Sequence, residues 1–372
     1  MIILKESQLL RKNIKKIENK NIVCRVDFNI TLEKGKVLDA FRLKSILPTI
    51  KVLSKTKRVI FLSHFADPAK PDSKYSFKPL IPKFESILGI KLNFIENFKV
   101  KPKDKFNLFE NTRFFKGEKE NDEKLAKQFA SLGEIFINEA FSASHRQHAS
   151  IVGISKFLPT LVGLNFEREI NLMNKAISGK RPLMLILGGA KISTKLPLIL
   201  KFINRADVIF LGGGLANTFL KAKGFEIGKS LVEKDQELID ELKNIFNVKI
   251  FIPLDFVLKN KKVKYLGEIR KNDIILDIGP ETIRALKDLI SQMKTIIWNG
   301  PVGYVENKNF RRGTKEIAKS LLTQDKNFIL VGGGDTLSFL ENEKLINKFK
   351  NISTGGGAML YYLANETLPI FQ

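Results

Sequence analysis

The stretch FILVGGGDTLSFLE, residues 328–341, decides how the chain is to be read. An apolar run of strand character ends in three glycines, then Asp335 and Thr336, and passes into a segment of helical spacing. A strand–glycine–helix turn lets backbone approach a bulky ligand and offers the free N–H groups of a helix N-terminus to an anion. An acid in that place would repel a bare phosphate, so Asp335 is expected to face a metal ion or a cation. The plain alternative makes Asp335 the N-cap of the helix.

Outward from this turn the same grammar repeats. Short apolar strands are expected in residues 21–28 (NIVCRVDF), 58–64 (RVIFLSH), 106–111 (FNLFEN) and 134–141 (EIFINEAF). Further ones are expected in 183–189 (LMLILGG), 207–214 (DVIFLGGG), 249–255 (KIFIPLD) and 295–301 (TIIWNGP). They alternate with amphipathic helical segments, the pattern of α/β lobes whose parallel sheets are covered by helices on both faces. A helix-like run in residues 162–182, closed by Gly179 and Pro182, marks the seam between two such lobes.

The strand ends of the two halves carry different chemistry. In the second half they are stripped to glycine, at Gly188, Gly189, Gly212 to Gly214, Gly300, Gly303, Gly332 to Gly334 and Gly355 to Gly357. Ligands of open α/β sheets sit at the carboxyl ends of strands, so these glycines are expected to clear room for one sizeable ligand. No phosphate-loop or dinucleotide fingerprint occurs. In GGAKISTK, however, a helix starting early would put Lys191 and Lys195 on one face at the rim of the crevice, a site suited to phosphates. In the first half, Arg25, Asp27 and Asn29 alternate with Val26 and Phe28 and are expected on one strand face, with Arg42 following. His64, Arg113, His145, Arg146 and His148 stand at or just after strand ends. Arginines and histidines gathered in this way suit a small carboxylate or phosphate substrate.

Composition sets the frame. At 372 residues and 44% hydrophobic the chain can bury a large core, and its length favours two domains. The single cysteine, Cys24, excludes a disulfide framework and a cysteine-based zinc site. No cleavage-site signature and no apolar run of membrane-spanning length is seen, so a cytoplasmic protein without membrane contact is expected. The net charge of +24 raises nucleic-acid binding as a possibility. The lysines are scattered among acids and asparagines without aromatic interleaving, so a solvated surface that favours small anions is expected instead.

The ordered series RVDFN, LPTI, SH..DP, ENTRF, HRQHAS, GGAKISTK, LGGGLANTFL, DIGP, WNGPVGYVE, VGGGDT and ISTGGGA resembles the phosphoglycerate kinase family along almost the whole chain. The resemblance implies two Rossmann-like lobes joined by a hinge helix. Residues 1–161 would form the acyl-substrate lobe, 162–180 the helix, 181–355 the nucleotide lobe, and 356–372 a segment returning to the first lobe. It implies a monomeric kinase of glycolysis that transfers a phosphoryl group from 1,3-bisphosphoglycerate to ADP, reversibly, after lobe closure, with Mg2+ accompanying ATP or ADP. Asp27, Asn29, Arg42, His64, Arg113 and Arg146 match its substrate positions. Gly189, Lys191, Lys195, Gly213, Asn299, Glu306, Gly333, Gly334, Asp335 and Thr336 match its nucleotide positions, with Asp335 at the magnesium and Glu306 at the ribose. Arg42 and Lys195 are the candidates to stabilise the moving phosphoryl group.

The departures from the family pattern fall in the acyl-substrate half. Ala66 and Asp67 stand where the family usually has Gly and Arg, Thr31 where it has Pro, and Glu139 and Ser142 where it has Asp and Gly. They leave room for a paralogous kinase of another acyl phosphate, or for a non-catalytic nucleotide-binding scaffold.

Overall fold

The computed structural model describes residues 1–30, 32–33, 36–37, 40–245 and 249–372, so Thr31 lies outside the described residues. The chain divides into two compact units, one of Met1–Asn171 with Asn365–Gln372 and one of Leu172–Ala364. The division falls inside the helix Leu164–Ile177.

Each unit is built on a six-stranded parallel sheet. In the first, the spatial order is Asn93–Ile95, Phe106–Phe109, Arg58–Leu62, Asn21–Arg25, Ile135–Asn138 and Thr160–Val162. Alternation along the strands feeds a core on both faces: Cys24, Phe61 and Ile137 pack to one side, Val23, Ile60 and Phe136 to the other. The chain winds outward from Asn21–Arg25 in one direction and then returns to build in the other. The switch therefore lies between Asn21–Arg25 and Ile135–Asn138, and a crevice at their carboxyl ends is the position that doubly wound sheets offer a ligand.

The second unit repeats the plan in the order Ile250–Phe251, Val208–Leu211, Leu183–Leu187, Thr295–Asn299, Phe328–Gly332 and Asn351–Ser353, with the switch between Leu183–Leu187 and Thr295–Asn299. It also carries a three-stranded antiparallel sheet, Asp255–Leu258 between Val263–Tyr265 and Ile275–Ile278, which the apolar-run pattern had not indicated. The expected strands are all present but shorter. The strand expected over 21–28 ends at Arg25, and the one expected over 249–255 is reduced to Ile250–Phe251.

The C-terminal residues pack into the first unit. Phe371 meets Phe166 edge-on at 6.0 Å, Ile370 lies against the core that holds Phe109 and Phe129, and Glu366 pairs with the Met1 ammonium at 3.2 Å.

Glu139, just past the strand Ile135–Asn138, is fully buried and holds the start of the Leu164–Ile177 helix. Its Oε1 accepts the N–H of Asn165 at 3.1 Å and the Thr49 hydroxyl at 2.7 Å, and its Oε2 accepts the N–H of Phe166 at 3.3 Å. Thr49 Oγ1 in turn accepts the N–H of Leu164 at 3.0 Å, so the otherwise orphaned donors of the first turn are satisfied. The carboxylate sits so close that a Cβ on Gly163 would lie 1.8 Å from Oε2, and only glycine fits there.

Burial lifts the Glu139 carboxyl to about 7, against the pull of the Thr49, Asn165 and Phe166 bonds and of Arg168. The folded protein thus keeps a proton that the unfolded chain has released. This contribution to stability is present below the ordinary value of 4.5 and is lost as pH rises through about 7. Glu139→Gln cannot release that proton. In urea unfolding at pH 5 and pH 8 the wild type is expected to lose on the order of 2 kcal/mol more between the two than the variant. Asp277, also lifted to about 7 by burial, is common to both proteins and cancels. Equal losses would show that Glu139 is ionised throughout.

Candidate active site

The strand Asn21–Arg25 delivers Arg25 to the switch point of the first unit, where the side chain is wholly buried. The alternation that put Arg25, Asp27 and Asn29 on one strand face is corrected here, because Asp27 and Asn29 lie in the loop beyond the strand. Arg25 Nε donates to Ser150 Oγ at 3.0 Å and Nη2 meets His64 Nδ1 at 3.1 Å. A guanidinium only donates, so His64 Nδ1 accepts and the ring proton sits on Nε2. Burial, and after it Arg25, Arg113 and Arg146, hold His64 well below its ordinary pKa, so the ring is neutral at neutral pH. Glu118, also buried, supplies counter-charge: it accepts the Ser150 hydroxyl at 2.6 Å and N–H at 3.0 Å. Burial lowers Arg25 itself to about 10, which leaves it charged.

Asp27 Oδ1 accepts the N–H of Asn29 at 3.0 Å, while Oδ2 takes the Ser142 hydroxyl and lies 3.4 Å from Arg42 Nη1. Arg42 also donates to the Asn29 carbonyl at 2.9 Å, and Asn29 Oδ1 accepts the N–H of Ala66 at 2.9 Å. Arg113, nearly sealed from solvent, donates Nη1 to the carbonyl of Ala66, and its buried Nε and Nη2 have no acceptor among the described residues. Arg146 Nε lies 3.4 Å from His145 Nε2. Burial, then the neighbouring arginines, depress His145 to about 4 and His148 to about 3. All six substrate residues expected from the sequence therefore lie in the first unit. Arg25 had been read only as one of the arginines gathered at the strand exits, and Glu118 and Ser150 beneath it had not been given a role. A lone buried arginine beside a strand exit was the available signal.

In the second unit a cleft of about 240 Å³ opens at the strand ends. Gly189, Gly213, Glu306 and Asp335 line it. Phe256, Ile275 and Ile278 of the antiparallel sheet, with the half-exposed Tyr304, give it an apolar wall suited to a flat ring. Lys195 is buried, its Nζ within 3.6 Å of where a Cβ on Gly189 would stand, and burial lowers its pKa while Asp335 counters.

At four points the structure adds local detail. The helix begins at Leu196, so Lys191 and Lys195 share no helix face; Lys195 Nζ instead folds back to 3.5 Å from the Lys191 carbonyl. Thr336 is buried and spends its hydroxyl on the N–H of Gly300 at 2.9 Å. Asn299 is buried behind Gly333, its Nδ2 3.1 Å from where a Cβ on that glycine would stand, so it supports the turn from beneath. The helix Gly334–Asn342 has Gly333, at φ 98°, as its N-cap with no side-chain cap, so Asp335 is not the cap. The Asp335 carboxylate is exposed in the first turn and forms no hydrogen bond or ion pair among the described residues.

Not every glycine faces the ligand. A Cβ on Gly188 would lie 2.0 Å from the Pro301 carbonyl oxygen, and one on Gly300 would lie 2.3 Å from that of Gly188. These two let neighbouring backbones touch at the switch point.

Comparison with known proteins agrees with this geometry. The family profile described as Phosphoglycerate kinase matches residues 12–366. The phosphoglycerate kinase of Finegoldia magna is 38% identical over 381 residues, covering 95% of this chain and 95% of that protein. That of Aquifex aeolicus is 39% identical over 380 residues, with 95% of each covered. Among solved structures, the phosphoglycerate kinase of Coxiella burnetii superposes with a TM-score of 0.78 at 33% identity, covering 95% of both chains. The one from Pyrococcus horikoshii gives 0.82 at 27% identity, covering 95% of this chain and 96% of the other.

Ala66 adopts φ 54°, in the left-handed region that favours glycine, while its N–H and carbonyl serve Asn29 and Arg113. A side chain there costs roughly 1–2 kcal/mol, partly offset by the freer unfolded chain that glycine gives. Ala66→Gly is expected to stabilise the protein by about 1 kcal/mol, read as a raised urea midpoint at constant slope. A lowered midpoint would mean that the methyl packs favourably enough to outweigh the backbone.

Proposed function

The chain belongs to the phosphoglycerate kinase family, and from that premise we propose how its residues divide the reaction. The enzyme is a phosphotransferase of glycolysis, moving a phosphoryl group between 1,3-bisphosphoglycerate and ADP to give 3-phosphoglycerate and ATP. In our reading the first unit takes the acyl substrate and the second the nucleotide. One observation carries the first assignment: Arg113 keeps buried donors without acceptors among the described residues, inside a field of further cations. Buried donors are rarely left unmade, and a phosphate or carboxylate would complete them bidentately. Arg146, the Nε2–H of His64 and the side chain of Asn29 join Arg113 at the substrate, while Asp27 orients Arg42.

The cleft of the second unit takes the nucleotide, its ring against the apolar wall, Glu306 at the ribose, and the phosphates over Gly189, Gly213 and the uncapped turn at Gly333 and Gly334. Among the described residues no cluster of His, Cys, Asp and Glu would hold a metal by itself. Magnesium arriving on a nucleotide needs only one or two protein carboxylates, and the unpaired Asp335 fits that need. The ion neutralises charge on the phosphates.

The attacking oxygen is an anion already, so no general base is required; the protein positions the reactants and stabilises charge. Lys195 and Arg42 supply that charge. Because the two reactants bind different units, transfer requires closure that excludes water. We read the enzyme as a cytoplasmic monomer without a nucleic-acid partner, a reading supported by the dispersed lysines and the single buried Cys24.

The reading is tested by a coupled assay with 3-phosphoglycerate and magnesium-ATP. The wild type should turn over, and Lys195→Ala should lower kcat about 100- to 1,000-fold with little change in nucleotide affinity. Absence of turnover in the wild type, with turnover on another acid, would make it a kinase of that acid. Asp335→Asn is expected to weaken binding of magnesium-ATP at least about tenfold and of metal-free ATP far less, measured by titration calorimetry. Equal losses would remove Asp335 from the metal.

A further inference from the structure

A further carboxylate, besides Asp27 and Glu118, sits among the cations that the first unit gathers for an anion. Asp67 Oδ1 lies 3.4 Å from Arg113 Nη1 and is bonded to Lys119 Nζ. The hydrogen bond from Lys119 is the main cause holding the Asp67 carboxyl below its ordinary value. Lys119 has no other hydrogen bond or ion pair among the described residues, and Arg113 has two donors unmade. A single carboxylate oxygen thus bridges two cations in the way an oxygen of a bound phosphate would.

We propose that Lys119 is a further substrate-binding residue: parked on Asp67 in the free protein, its ammonium turns with Arg113 to the phosphate of the acyl substrate. This inference rests on the first unit being the acyl-substrate unit. The exposures fit an exchange of partners. The Arg113 side chain is 3% exposed and fixed, whereas Lys119 and Asp67 are 44% and 60% exposed. An exposed pair of this kind is worth about 0–1 kcal/mol, so a doubly charged phosphate displaces Asp67 readily. Position 67 offers an acid to the cluster, and position 119 returns a cation to it. Asp67 then holds Lys119 beside Arg113 in the free protein and competes with the phosphate for both cations.

Affinity for 3-phosphoglycerate, measured by calorimetry without nucleotide, tests this directly. Lys119→Met keeps the aliphatic stem and removes the charge; it should weaken binding roughly tenfold, the loss of one charge-assisted contact, with a shallower dependence on salt. Lys119→Arg should restore most of the loss. In turnover the KM for 3-phosphoglycerate should rise in parallel while kcat and the KM for ATP stay within about twofold, as for a contact equal in ground and transition states. Asp67→Asn should tighten binding severalfold, and most of that gain should vanish when it is combined with Lys119→Met. Equal affinity of wild type and Lys119→Met overturns the inference, as does an Asp67→Asn gain that survives undiminished in the double variant. A wild type that binds 3-phosphoglycerate through Lys119 but fails to turn it over sinks the kinase reading alone.

Discussion

The structure depends on concentrating positive charge where water is scarce. Arg25 is wholly buried, Arg113 nearly so, and Arg146 acts electrostatically on both. Such groups are costly to desolvate unless paired. Here the pairing is deliberately incomplete. Glu118, through Ser150, balances Arg25 from below, and Asp27 steadies Arg42, while Arg113 keeps donors in reserve. Burial, and after it the same field, holds all three histidines neutral. A charged imidazole beside three guanidiniums would add repulsion, whereas a neutral ring held by Arg25 presents a hydrogen-bond donor at no such cost.

Much of this was legible because strong local signals coincided with the tertiary arrangement. Runs such as LMLIL and FILVG are buried on both faces and could only be interior strands, so the parallel sheets followed. The contrast of polar strand ends in one half with glycine ends in the other pointed to the two candidate sites. What was missed had weak or divided signals. The strand Val263–Tyr265 is largely exposed, and the strand Ile275–Ile278 interrupts its apolar run with Asp277, whose carboxylate serves the N–H groups of Ile278 and Gly313. Neither reads as a strand in isolation, yet the sheet they form walls the cleft of the second unit. Gly188 and Gly300 look the same in sequence as Gly189 and Gly213, but only the second pair lines the cleft, because backbone crossing is set by strand neighbours distant in the chain.

The departures from the family pattern acquire distinct physical meanings. Glu139 reaches far enough to hold the first turn of the Leu164–Ile177 helix against Gly163. Ser142 adds a hydroxyl that occupies one oxygen of Asp27. Ala66 sits in a conformation better suited to glycine, yet its backbone groups hold Asn29 and Arg113 in place. Of these departures among the described residues, Ala66 and Ser142 bond site residues and Glu139 holds a helix start, while Asp67 alone puts a negative charge beside the open donors.

The placement of Asn365–Gln372 within the first unit has a consequence for how the protein is made. In chain topology the second unit is an insertion, contiguous from Leu172 to Ala364, while the first is assembled from two separated pieces. Domains emerging from a ribosome ordinarily fold in the order they are synthesised. Here the order is inverted for completion: the second unit has its entire sequence available while the first still lacks Ile370 and Phe371. The half that is translated first is therefore the half that is completed last, since it waits for Asn365–Gln372 on the far side of the insertion.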